Sequence, residues 1–133
     1  MTNTMLIAAL TLVAATPAAG ADLRPLLNAI RQVESGGNDR AVGDSGRSVG
    51  PYQCGLAAWL DGGGKRADYP RLAYDRAATE AVMLRYWRRY KATTDRDKAV
   101  CWNVGPRYRT RAKAAGERYW RKIRKELAAS ATE

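Results

Sequence analysis

Apolar residues recur at three- and four-residue steps through Leu23, Leu26, Leu27, Ile30 and Val33. That spacing lines up one face of a helix. Asp22 stands where an N-cap belongs and Gly36-Gly37 supplies a stop, so the predicted helix ends just after Glu34. From Asn38 to Val49 the chain has Gly43, Gly46 and short polar residues without a sustained period, which predicts a loop or a short two-stranded ribbon. Leu56 to Leu60 reads as a short helix stopped by Gly62, Gly63 and Gly64, and Lys65 to Tyr74 as a surface loop. Asp75 opens a helix whose apolar side is Ala78, Val82, Met83, Tyr86, Trp87 and Tyr90, with Arg85, Arg88 and Arg89 facing elsewhere. A shorter helix is predicted from Asp97 to Trp102, then a turn through Asn103, Val104, Gly105 and Pro106. The last helix, from about Arg109 to Ala128, presents Ala112, Ala115, Tyr119, Ile123 and Leu127 on one side, with Gly116 as a weak point. No long strand pattern and no internal repeat is present. The fold class expected is mainly α, a small helical domain with a short β-ribbon or loop.

The first residues follow a different logic. Met5 to Ala15 is an apolar run, and Ala19-Gly20-Ala21 is a small-x-small site before Asp22. Residues 1–21 therefore read as a signal peptide and residues 22–133 as the domain, exported to a secreted or periplasmic location. No Lys or Arg precedes the apolar run, so an uncleaved membrane anchor is the alternative.

All 23 Lys and Arg and all 13 Asp and Glu lie beyond Ala21, giving a formal charge of +10. Such a field draws a protein to polyanions: acidic wall polymers, an anionic membrane surface or nucleic acid. Basic residues cluster at Arg85, Arg88, Arg89 and Lys91 and again from Arg107 to Lys125, interleaved with Tyr108, Tyr119 and Trp120. A solvated helix face is preferred here over a dedicated nucleic-acid surface. The chain has no histidine, which excludes Ser-His-Asp, Cys-His and His-ligated metal chemistry. Two cysteines cannot build a four-thiolate zinc site, so neither metal nor cofactor is expected. For an exported chain a Cys54–Cys101 disulfide is the expectation, with two buried thiols as the alternative.

Glu34 is the residue on which chemistry converges. It lies at the edge of the buried stripe, where desolvation raises a carboxyl's pKa and can hold its proton near neutral pH. Asp44 brings a second carboxyl ten residues on, in the Gly/Ser-rich segment. A pair of carboxyls flanking a cleft is the raw material for cleaving a glycosidic bond. Asp44 can equally be a turn-forming Asx residue.

Glu34-Ser35, Gly50-Pro51-Tyr52-Gln53 and Trp102-Asn103-Val104-Gly105-Pro106, taken in order, resemble the signature of the soluble lytic transglycosylases (SLT) within the lysozyme-like superfamily. Tyr119 on the last helix completes it. Gly50-Pro51-Tyr52-Gln53 followed by Ala58-Trp59-Leu60-Asp61 also resembles the invertebrate-type, destabilase-like lysozymes. The resemblance implies a monomeric enzyme cleaving the β-1,4 bond of peptidoglycan between N-acetylmuramic acid and N-acetylglucosamine, with Glu34 as general acid. It assigns Ser35, Tyr52, Gln53, Asn103 and Tyr119 to the glycan or to support of Glu34. In the lysozyme branch Asp44 is the nucleophile or the stabilising carboxylate. In the transglycosylase branch the substrate's N-acetyl group assists, a 1,6-anhydro sugar is released and Asp44 is incidental. A Cys54–Cys101 bridge would fix the walls of such a cleft against each other. The alternative of a different class is a basic wall- or polyanion-binding protein on the same scaffold, without turnover.

Overall fold

The computed structural model describes residues 22–133; the expected signal segment and its cleavage site lie outside the described residues. Five α-helices surround one short ribbon: α1 (Leu23–Ser35), β1 (Val42–Gly43), β2 (Ser48–Val49), α2 (Leu56–Asp61), α3 (Arg76–Arg89), α4 (Asp95–Val104) and α5 (Lys113–Ser130). The mainly helical class follows directly. Among the described residues no helix is long and apolar enough to cross a membrane.

α1 buries Leu26, Leu27, Ala29 and Ile30, with Leu23 and Val33 half-buried, and closes on Gly36 in the left-handed region. Fully burying each of the larger side chains contributes about 1.5–3 kcal/mol. Asp22 sits at the N-cap position with φ −104° and ψ 15°, outside the extended conformation a capping side chain needs, and makes no cap bond. Asp75 and Thr94 do cap, accepting from the backbone N–H of Ala78 and Asp97. Thr94 thereby starts α4 two residues earlier than the apolar pattern indicates.

The core lies where α5 packs on α1 and α4, and it continues through Met83, Tyr86 and Trp87 of α3. Three buried tryptophans each donate the indole N–H to a backbone carbonyl: Trp59 to Lys65, Trp87 to Lys98, Trp102 to Tyr52, all at 2.9 Å. This satisfies the one polar atom of each large ring while its area stays inside. The expected loop from Lys65 to Tyr74 is more ordered than its composition indicates, with 3₁₀ turns at Arg66–Asp68 and Arg71–Tyr74 and a buried Ala73.

α5 begins at Lys113, not Arg109, because Arg107 to Arg111 are held in a turn. There Tyr108 enters the core, and Arg109 stacks over its ring and donates to the Lys91 carbonyl at 3.0 Å. Ala112 is consequently exposed. Gly116, a weak point by helix propensity, is also a close contact: a Cβ there would lie 2.7 Å from Val100 Cγ1, so its lack of a side chain lets α5 cross α4.

Candidate active site

β1 and β2 form a two-stranded antiparallel ribbon, pairing Val42 with Val49 and Gly43 with Ser48. The ribbon faces the C-terminal end of α1. Between them opens a cleft of about 220 Å³ lined by Glu34, Gly43, Asp44, Ser48, Gln53, Trp102 and Asn103. Of the anticipated residues, four therefore meet on one surface: Glu34, Asp44, Gln53 and Asn103.

Glu34 reaches this cleft from the last turn of α1. Its carboxyl is raised above its ordinary range, chiefly by desolvation; Tyr119 and Asn103 lower it by hydrogen bonding, the Asp44 charge raises it, and Lys122 lowers it. Desolvation prevails. Tyr119, from α5, is buried, and its hydroxyl completes no regular hydrogen bond. Yet it faces Glu34 closely enough for each group to move the other's pKa, burial being the larger influence on the phenol. A phenol so placed stabilises the carboxylate once its proton has left.

The ribbon is braced from below. Gln53 has a left-handed backbone (φ 49°), and its Nε2 donates to the carbonyls of Ala41 at 3.2 Å and Gly50 at 3.1 Å. Its Oε1 lies so close to Gly43 that a Cβ there would approach within 2.3 Å, so any larger residue at that position would have to push the Gln53 side chain aside. Gln53 is thus largely a structural brace whose edge reaches the cleft. Asp44 (φ 50°) and Ser45 (φ 56°) are also left-handed and non-glycine. Such residues cost about 1–3 kcal/mol each and persist where the surroundings over-determine them, often at functional sites.

Tyr52 does not line the cleft. It is fully buried, and its hydroxyl donates to Glu80 Oε1 at 2.5 Å. Glu80 is also gripped by Arg24 at 2.6 and 2.8 Å, an ion pair joining α1 to α3. Ser35 is half-buried and absent from the cleft lining, its Oγ donating to the Arg31 carbonyl at 2.9 Å within α1. Neither is placed to touch a ligand in this cleft.

Cys54 and Cys101 are buried free thiols, correcting the expected bridge. Cys54 Sγ is turned to the Gly55 carbonyl at 3.5 Å, whereas Cys101 sits beside Tyr86. Burial pushes the two thiols up to about 12 and about 11, so both stay protonated and unreactive. The tie between the Gly50–Gln53 and Trp102–Asn103 segments is made instead by Trp102 Nε1 donating to the Tyr52 carbonyl. Trp102, edge-on to Tyr86 at 5.5 Å, forms one wall of the cleft.

Trp102, Ser48 and Gly43 line the cleft without having been singled out from the sequence as site residues. Trp102 had a signal in its place beside Asn103; Ser48 and Gly43 depend on ribbon register, which two-residue strands do not announce. No family model matches the chain, and no curated protein proved similar to it.

Proposed function

We propose that the protein is an exported peptidoglycan glycosidase of the lysozyme-like kind, cleaving the β-1,4 bond between N-acetylmuramic acid and N-acetylglucosamine. The observation that carries this reading is the Glu34 carboxyl, its pKa raised chiefly by desolvation, on the wall of a polar cleft beside Asn103 and Trp102. Glu34 gives its proton to the glycosidic oxygen as the C1–O bond breaks, and the bonding pair leaves with that oxygen. Positive charge at C1 is stabilised by Asp44 or by the sugar's own N-acetyl oxygen. Glu34, now ionised and met by Tyr119 and Asn103, then takes a proton from the water or the 6-hydroxyl that attacks C1.

A tryptophan in the cleft wall and an amide suit a sugar's faces and N-acetyl group. The exposed positions of α5 include Arg118, Arg121, Lys122, Arg124 and Lys125, none of which has a salt-bridge partner among the described residues. These charges would hold the enzyme on acidic wall polymers.

The test is incubation of purified cell wall with the full chain and with Glu34→Gln. The wild type should clear turbidity, and the variant should lose about 10²- to 10⁴-fold in rate while remaining bound at low salt. Equal retention with no clearing by either protein would instead identify a basic binding protein without turnover.

A further inference from the structure

The Asp44 carboxylate is not used by the turn that carries it. A turn-forming aspartate ordinarily accepts, through its side chain, the backbone N–H two residues on. Here the backbone closes the turn: the Arg47 amide donates to the Asp44 carbonyl at 3.2 Å, and Arg47 Nε donates to the same oxygen at 3.0 Å. The carboxylate instead accepts from Ser48 Oγ at 2.9 Å through Oδ2. Among the described residues no donor reaches Oδ1. Asp44 is thus anchored by one oxygen and free at the other, in the cleft that also holds Glu34.

Ser48 is well placed to hold that carboxylate still. It belongs to β2, paired in register with Gly43, the residue before Asp44. Gly43 is in turn pressed against Gln53, which is bonded to both Ala41 and Gly50. A strand serine on a solvated edge has many acceptors open to it, water above all. This one lines the cleft and engages the one carboxylate there besides Glu34.

We propose that Ser48 is a positioning residue for Asp44, and that this pair directs cleavage toward water, so that the products carry reducing ends rather than anhydro ends. The proposal rests on the glycosidase reading above. When the C1–O bond breaks, a carboxylate stationed at C1 stabilises the positive charge until water arrives. The water oxygen bonds to C1 and its proton passes to the Glu34 carboxylate, which is restored as the acid. Without that carboxylate the N-acetyl oxygen supports C1 and the sugar's 6-hydroxyl closes on it, passing its proton to the same Glu34. The two products differ by one water.

Mass spectrometry of fragments released from purified cell wall separates them. The wild type should release mainly reducing ends. Asp44→Asn should turn the mixture toward anhydro ends and slow turnover at least tenfold. Ser48→Ala should move the ratio in the same direction by a smaller, several-fold change, while Ser48→Thr, which keeps the hydroxyl, should restore the wild-type ratio. Melting temperatures of all three variants separate loss of fold from loss of positioning, and the ratio is read on whatever activity remains. A wild-type ratio in Ser48→Ala, or anhydro ends alone from the wild type, would overturn the proposal and leave Glu34 as the acid. Release of neither product by the wild type would overturn both readings.

Discussion

At one end of α1, Arg24 holds Glu80 with two guanidinium nitrogens and Tyr52 adds a third donor. At the other end, Glu34 has no salt bridge among the described residues and faces a phenol and an amide across a cleft. The two side chains are chemically identical, yet their surroundings drive them apart. Hydrogen bonding from Arg24 holds Glu80 below its ordinary range, whereas desolvation holds Glu34 above it. One carboxyl joins two helices through Arg24, and the other sits in a cleft where its proton is held more tightly than usual. What separates the two carboxyls is the cationic partner that Glu34 lacks, not the residue type.

The same contrast sets opposite signs for stability against pH. Glu80, with its folded value lowered, stabilises the fold at pH above its ordinary 4.5, and this is lost as pH falls through the folded value. Glu34, with its folded value raised, favours the fold below 4.5, and this is lost as pH rises through the folded value. Ionising Glu34 therefore weighs against folding.

The largest consequence falls on the structural partner. Glu80→Gln should lower stability in urea unfolding at pH 7 by about 1–3 kcal/mol, by leaving Arg24 and Tyr52 short of an acceptor, and the loss should shrink in acid. Glu34→Gln should do the reverse, raising stability at pH 7 by about 0.5–2 kcal/mol while cutting the cleavage rate about 10²- to 10⁴-fold, with little change in stability near pH 4. If both variants lose stability equally at pH 7, the contrast between the two sites is gone. The smallest effect belongs to Lys122, whose charge lowers the Glu34 pKa. Removing it in Lys122→Gln should move the alkaline limb of the pH–rate profile to higher pH, and a downward move would show that another group sets that limb.

Much of this was legible in the chain because it is local. The stripes of α1 and α3, the stop after Glu34 and the ribbon around Asp44 follow from spacing and turn residues within a few positions. Tyr52 was misjudged because its burial depends on Glu80, 28 residues away on another helix. The packing role of Gly116 is hidden for the same kind of reason, since Val100 decides what fits there. The brace formed by Gln53 was hidden because an amide beside a cleft looks alike whether it meets a ligand or a backbone carbonyl. Ser48 acquires meaning only once the ribbon's register brings it to Asp44.

The claim at the centre is that the cleft keeps Glu34 protonated where an ordinary glutamate is ionised. Carboxyl ¹³C chemical shifts of the two glutamates, followed through a pH titration of the full chain, measure it without substrate. Glu34 should titrate above 4.5 and Glu80 below it. A Glu34 midpoint at or below that of Glu80 would remove the proton donor on which the proposed activity depends.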